Sequence, residues 1–474
     1  MSVSLYWHDY ETFGQNPLSS GIAQFAGIRT DLHLNEIGDP QMFYCQPPQD
    51  SWPDPVACLI TGITPQHCRE NGLPEYRFAQ EVSRVFSLPG TCGVGFNNIR
   101  FDDEFTRQLL YRNFYDPYER EWKGGNSRWD LIDVLRFACA LRPEGINWPK
   151  DNDGHYSMKL EKLTAANGVE QVGAHDALVD VRATIGMARL LKREQPKLYD
   201  YAFSLRDKKI VAQKIDWHRH RPFLHTSSMF GAVNLFTTLV MPIMVHPTNK
   251  NEIVVFDLKQ NPARLIALSS DDIRLQMFTA TKDLPEGIDR LALKTLHMNK
   301  SPMLANMGLL NEAVEARLGL DRVLCESHWQ QLLHQLSAVQ DKLNAVFNQP
   351  YESKIADAEF RLYDGFIPDA DKYLQLAVRR ATVQDLTQKT FAFHDERLRE
   401  LLFRYRARNF PQSLSAAEQK QWQAFRQTRL HTKITTEWLT HTDYFSKIIE
   451  LEAEYTAEPN KLALLQVLKK WLPE

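Results

Sequence analysis

The chain opens on "SLYWHDYETF", where apolar and aromatic residues alternate as in a half-buried strand. Further strand patterns fall at 22–30, 41–46 and 91–96, and helical patterns at 64–71, 75–87, 101–113, 130–141, 159–167 and 175–193. Three early strands so close in sequence predict an antiparallel meander. A later strand bracketed by helices predicts a mixed sheet with helices on its faces. Leu178, Val181, Ile185 and Ala188 make an apolar stripe at helical spacing, the core face of the last helix. Beyond residue 200 the texture changes. "RDKKIVAQKIDWHRHRP" is a basic connector without period, and "TTLVMPIMV", "NEIVVFDL" and "ALKTLHM" read as strands split by the turn signals "HPTNKN" and "KQNPAR". From 326 to 349, and from 353 to the end, the pattern is helical and amphipathic. The expectation is three domains: an α/β (α+β) mixed-sheet domain over 1–195, a small β-rich, barrel-like domain over 200–350, and an all-helical domain over 353–474.

A chain of 474 residues has ample material for cores of that number. No apolar run approaches membrane-spanning length, and the N-terminus enters a strand without a basic, cleavable leader. The six cysteines form no C-x-x-C pair and no finger-like spacing, which disfavours structural zinc and disulfides and suits a reducing cytoplasm. A net charge of −3 gives no whole-chain support for nucleic-acid binding, so a local groove of Lys and Arg would have to supply it. No G-x-x-x-x-G-K-[ST] loop is present, which disfavours an ATP-driven enzyme.

The chemistry begins with Asp9 and Glu11. On a strand, residues i and i+2 share a face, so the two carboxylates project side by side and repel unless a proton or cation intervenes. Alone, such a D-x-E triplet is commonplace. Two other segments give it company: "GVGFNNIRFDDEFTRQLLYRN", a strand running through a turn into a helix with Asp102 at its start, and "GAHDALVDVRAT", which places His175 at the start of a helix and Asp180 along it. Singly, Asp102 reads as an acid favoured by its helix dipole and His175 as a capping or solvated residue. Together these segments can converge on one sheet end. Four carboxylates there would need divalent cations, and hard oxygen ligands suit Mg²⁺ or Mn²⁺. Two ions roughly 3.5–4 Å apart are a known solution for phosphodiester chemistry, with an imidazole near its working pKa taking the proton of the attacking water.

D-x-E, N-x3-F-D and H-x4-D, in this order, resemble the histidine-bearing branch of the DEDD exonuclease superfamily over residues 1–195. The first motif departs from the commoner "DTETTG" by placing Tyr10 and Phe13 where small residues are usual. With that departure, "HDYETFG", "ITGITP", "NNIRFDDEFTR", "YRNFYDPY", "NSRWDLIDV", "ALRPEGINWP" and "LLFRYRARNFP" look like the bacterial exonuclease I family along the whole chain. The resemblance implies an RNase-H-like exonuclease domain, an SH3-like β domain and a helical C-terminal domain. It implies processive 3′→5′ degradation of single-stranded DNA to 5′-mononucleotides, in DNA repair and recombination, by a cytoplasmic monomer. Asp9 would bridge two Mg²⁺ ions, for which Mn²⁺ could substitute. Glu11 and Asp180 would serve the first ion and Asp102 the second, and His175 would be the general base. Glu11 would also face the substrate.

Unpaired DNA calls for cations along its backbone and aromatic platforms for its bases. With the resemblance, Arg107, Tyr118, Trp122, Arg136 and Lys159 are the expected contacts, followed by Lys208, Lys209, Asn251 and Lys300. If the later domains arch over the cleft, enclosure would give processivity and exclude duplex. The family also binds the acidic C-terminal tail of the single-stranded-DNA-binding protein, for which Arg142, Tyr201 and Arg221 would contribute a basic pocket. Two rivals stand beside this reading. An RNA-directed exonuclease of the same superfamily would use identical chemistry, but its small members lack the extra domains. A catalytically dead binding protein is disfavoured because all five catalytic positions are filled.

Overall fold

Period-two alternation in the opening segment produces β1 (Ser4–Thr12), the central strand of a five-stranded sheet. β1 pairs antiparallel with β2 (Ile22–Thr30), and β2 pairs antiparallel with β3 (Gln41–Tyr44). On the other side of β1, β4 (Thr91–Gly95) runs parallel to it. The order is β3-β2-β1-β4-β5, with β5 (Ser127–Asp130) at the edge, so the expected meander and mixed sheet are both present. β5 was not expected, because its four residues run directly into a helix and show no alternation of their own. The structure, a computed structural model, describes residues 3–171, 176–348, 357–435 and 437–473.

The even-numbered face of β1 is aromatic. Tyr6 and Tyr10 pack with Phe25, Phe78, Phe86 and Phe105 beneath the helices α1 (Glu75–Phe86) and α2 (Asp102–Arg112). The neighbouring strand yields to this layer at Gly27, where a Cβ would stand 2.3 Å from the Tyr6 hydroxyl oxygen. The odd-numbered face is left to carry Asp9 and Glu11.

The chain divides into two compact units. The first joins Met1–Ser127 to Gln171–Ile185 and Ser353–Glu474. In it the C-terminal helices share a core with the N-terminal segment. Those helices include α4 (Glu396–Asn409), α5 (Ala416–His431), α6 (His441–Glu454) and α7 (Pro459–Leu468), and α3 (Ala177–Glu194) starts in the same unit. Phe13, Trp52, Cys58 and Cys68 pack with Leu430, Tyr444, Leu465 and Trp471. Trp52 stacks on Tyr444 at 4.7 Å and donates its indole N–H to the Leu430 carbonyl at 3.1 Å. A second junction is ionic and buried. The Asp50 carboxylate accepts from Arg408 at 2.6 and 3.0 Å and from Arg429 at 2.8 Å, and Glu359 accepts from the same two guanidiniums.

The second unit, Arg128–Glu170 with Gly186–Glu352, holds an antiparallel sheet of order β10-β6-β7-β8-β9. Its strands are β6 (Phe223–Thr226), β7 (Thr237–Val245), β8 (Glu252–Asp257), β9 (Leu293–His297) and β10 (Met303–Asn306). The three expected strands are β7, β8 and β9. Helices at Ser270–Phe278, Arg322–His334 and Leu336–Phe347 also belong to this unit, so the 200–350 segment is mixed in content.

Burial alone would raise the Asp50 carboxyl, but the Arg408 and Arg429 guanidiniums hold it down to about 2. An acid depressed in the folded state stabilises fully above its unfolded value of about 4, and this support is lost as pH falls through the folded value. Arg429→Met leaves Asp50 and Glu359 short of a partner and is expected to cost about 3–5 kcal/mol. Circular-dichroism titration should show its acid unfolding moved to higher pH than that of the parent chain.

Candidate active site

Asp9 and Glu11 sit on β1 opposite Ala26 and Gln24 of β2, two residues apart on one face as the alternation predicts. Asp180 joins them from the first turn of α3, and one carboxylate oxygen from each of the three lies within 4.8 Å of the other two. Asp102 begins α2, and its Oδ1 accepts the Tyr10 backbone N–H at 3.0 Å, between the two acids of β1. Thr106, one turn along α2, donates its hydroxyl to the Asp102 carbonyl at 2.8 Å and lies 3.0 Å from the Tyr10 hydroxyl. The four acids are therefore brought together as expected. His175 lies outside the described residues.

Three further residues hold this arrangement. Asp176 caps α3, accepting the N–H groups of Leu178 at 3.0 Å and Val179 at 3.3 Å. Gln24 accepts the Ala177 N–H through Oε1 at 3.1 Å, which ties the start of α3 to β2. Gln171 donates its amide to Asp180 Oδ1 at 2.7 Å. None of the three was singled out in the sequence: Asp176 offered the signal of an acid at a helix start, whereas the two glutamines carry no local signal.

The cluster is strongly repulsive. Burial pushes the Asp9 carboxyl well above the carboxylate range, and Asp102, Glu11, Asp180 and Asp176 add to the shift. Glu11 is pushed up to about 8 by burial, then by Asp180, Asp102 and Asp176. An all-oxygen donor set that cannot ionise together in isolation fits hard divalent cations, whose charge would relieve it.

The expected DNA contacts fall into two groups. In the first unit, Trp122 is 63% exposed, and with Tyr118 it lines a cavity of about 430 Å³ together with Phe366, Pro368 and Lys372. Phe366, exposed and 5.7 Å edge-on from Tyr118, was not among the residues singled out in the sequence. Its signal was an aromatic in the turn-rich stretch "YDGFIP", where no helical stripe would bury it. Arg107, another of the expected contacts, has carboxylate partners. It is buried, bidentate to Glu121 at 2.8 and 3.0 Å and bonded to Glu104 at 2.7 Å, and its guanidinium lies 5.4 Å from the Tyr118 ring centre.

In the second unit Arg136 is likewise buried, paired with Asp133 at 2.7 Å and set over Phe236. Lys159 is exposed, with Glu161 at 4.0 Å. Lys208 donates to Asn251 Oδ1 at 3.1 Å, so two expected residues meet, and Lys209 beside it is exposed. Lys300 is half-buried in the turn after β9. Arg142 and Arg221 are exposed, and the Tyr201 hydroxyl donates to the Leu304 carbonyl at 2.9 Å.

A mixed sheet whose central strand carries paired acids, completed by acids from two helix starts, defines an exonuclease centre of the carboxylate type. The family described as "Exonuclease" matches residues 6–188, "Exonuclease I SH3-like domain" matches 206–349, and "Exonuclease I C-terminal domain" matches 356–474. The chain belongs to the exonuclease I family. It is 43% identical over 465 residues to the exodeoxyribonuclease I of Haemophilus influenzae, covering 98% of this chain and 97% of that one. Escherichia coli exonuclease I in complex with a dA16 oligonucleotide superposes with a TM-score of 0.93 at 42% identity, covering 99% of both chains. The zinc-ion-bound form of the E. coli enzyme's complex with single-stranded DNA gives 0.92 at 42% identity, covering 99% of this chain and 98% of that one.

Removing one charge from the cluster relieves repulsion that the fold sustains for its site. Asp9→Asn is expected to raise the melting temperature of the chelator-treated protein and to abolish the further rise that Mg²⁺ gives the parent chain. Thermal melts with and without Mg²⁺ check both.

Proposed function

We propose that this protein degrades single-stranded DNA processively from its 3′ end to 5′-mononucleotides, in DNA repair and recombination. The observation that carries the reading is the convergence of the Asp9, Glu11 and Asp180 carboxylates, with Asp102 bonded between the first two. These four acids would hold two divalent ions, Mg²⁺ by the hardness of the donor set and Mn²⁺ as a substitute. Bound there, the ions would supply charge to activate water and to stabilise the leaving oxygen. Asp102 is held for this by the Tyr10 N–H, and Asp180 by Gln171. His175, by the family resemblance, accepts the proton of the attacking water.

The bases of the strand would stack on Tyr118, Trp122 and Phe366, contacts that every base can make. Lys159, Lys300 and the Lys208–Asn251 pair would meet its phosphates, with Lys209 adding charge. Arg107, its guanidinium 5.4 Å from the Tyr118 ring centre, would contact the strand there, with Arg136 as a further cation. Arg142, Tyr201 and Arg221 would contribute to the site for the acidic tail of the single-stranded-DNA-binding protein. The protein would act as a monomer in the cytoplasm. No helix among the described residues is long and apolar enough to cross a membrane.

The deciding assay offers end-labelled DNA and RNA, each single-stranded and duplexed, with Mg²⁺ and with chelator. Metal-dependent shortening of single-stranded DNA from its 3′ end is expected. Preferential loss of RNA would overturn the substrate assignment. Asp9→Asn should lower the rate by roughly 10³-fold or more, the scale of losing several kcal/mol of charge stabilisation. Trp122→Ala should weaken single-strand binding by about 1–3 kcal/mol, measured by fluorescence anisotropy, with the rate at saturating DNA preserved.

A further inference from the structure

Asp102 and Asp103 stand next to each other at the start of α2 but serve different surroundings. Asp102 reaches the β1 backbone among the acids of the site. Asp103 is wholly buried, its Oδ1 accepting from Arg120 Nη2 at 2.5 Å, with His8 Nε2 at 3.9 Å. Its own N–H is fixed on the Asn98 carbonyl at 2.8 Å. Arg120 is buried too, its guanidinium 4.7 Å from the Phe86 ring centre.

One turn further along the same face of α2 the polarity reverses. Arg107 is the base on the helix, and the acid bidentate to it is Glu121. An acid and a base on α2 thus pair with a base and an acid at successive positions of the short turn Glu119–Glu121. That turn lies between Tyr118 and Trp122, the two aromatic residues at the cavity. The arrangement is a crossed double bridge joining the helix that presents Asp102 to the loop that presents the rings.

A buried ion pair is seldom the most stabilising filling for a pocket, since well-packed apolar residues often do as well or better. What it adds is direction, because a guanidinium meets a carboxylate in few geometries. We propose that Arg120 is a positioning residue: through Asp103 it sets the Asp102 carboxylate for cation binding, and with the Arg107–Glu121 bridge it locks the Tyr118–Trp122 loop to the same helix. The inference rests on reading the four acids as a cation site and the rings as a base platform.

The test uses the full chain and reads binding. Arg120→Met alone strands the Asp103 charge and could fail to fold, so the informative variant is Asp103→Leu/Arg120→Met, which removes both charges. Mn²⁺ binding is followed by electron paramagnetic resonance or calorimetry, and oligonucleotide binding by anisotropy in chelator. The double variant is expected to keep a cooperative melt near that of the parent, yet to bind Mn²⁺ about 10–100-fold more weakly, the usual cost of losing a partner behind a ligand. Its metal-free oligonucleotide affinity should fall as well, and Arg120→Lys should lie between the two. Parental Mn²⁺ and oligonucleotide affinities in the double variant would overturn the inference and leave the pair a packing device. If the parent chain itself bound no Mn²⁺, the cation-site reading would fall first.

Discussion

Carboxylate repulsion at the end of β1 is the constraint around which the first unit is arranged. Asp9 and Glu11 cannot both ionise in a buried setting beside Asp102 and Asp180 unless positive charge intervenes. Each neighbouring element either adds an acid or restrains one. α2 brings Asp102 and is bonded to the β1 backbone, and α3 brings Asp180 and is tied to β2 through Gln24. Asp176 does both, capping α3 while adding to the repulsion. Such a site lowers the stability of the metal-free fold, and its support has to come from elsewhere.

Part of that support comes from the far end of the chain. The aromatic face of β1 is packed against α1 and α2, but Phe13, Trp52 and Cys58 need the C-terminal helices to complete their core. The buried knot of Asp50 and Glu359 with Arg408 and Arg429 holds the same two segments together. Burying a large aromatic side chain contributes roughly 1.5–3 kcal/mol, so the shared core of Trp52, Tyr444 and Trp471 is a substantial fraction of a typical domain's stability. The C-terminal helices belong to the energetics of the nuclease fold as well as to any path for the strand.

How much of this could be read from the chain depended on the range of the interaction. The D-x-E pair was legible because strand period alone puts residues 9 and 11 on one face, while Asp102 was read at a helix start and Asp180 from its spacing to His175. The Arg136–Asp133 pair was visible in principle at i,i+3, yet a helix-surface arginine looks the same whether or not its acid is buried beside it. Arg107 and Glu121 are separated by fourteen positions and a turn, and nothing local predicts their bidentate geometry. The Trp52–Leu430 bond spans 378 positions, beyond any periodicity. Short strands such as β5, β6 and β10 escaped for the opposite reason, their four residues each showing too little alternation to stand out from the flanking turns and helices.

The charge balance then bears on how a strand could be held. Arg107 and Arg136, two of the expected contacts, also pair with carboxylates, so in the proposed path exposed lysines such as Lys159 and Lys208 would share the attraction to the backbone. That agrees with a chain whose net charge is −3, and it places the burden of grip on stacking. Stacking on Tyr118, Trp122 and Phe366, as proposed, would be tolerant of sequence and could be broken one base at a time. An enzyme that removes one nucleotide and then advances needs contacts of that kind, replaceable at every step. Cleavage needs the opposite, a rigid set of acids. In the proposed arrangement the crossed bridges between α2 and the Tyr118–Trp122 loop would allow both, fixing the frame that carries the rings without fixing what the rings would hold.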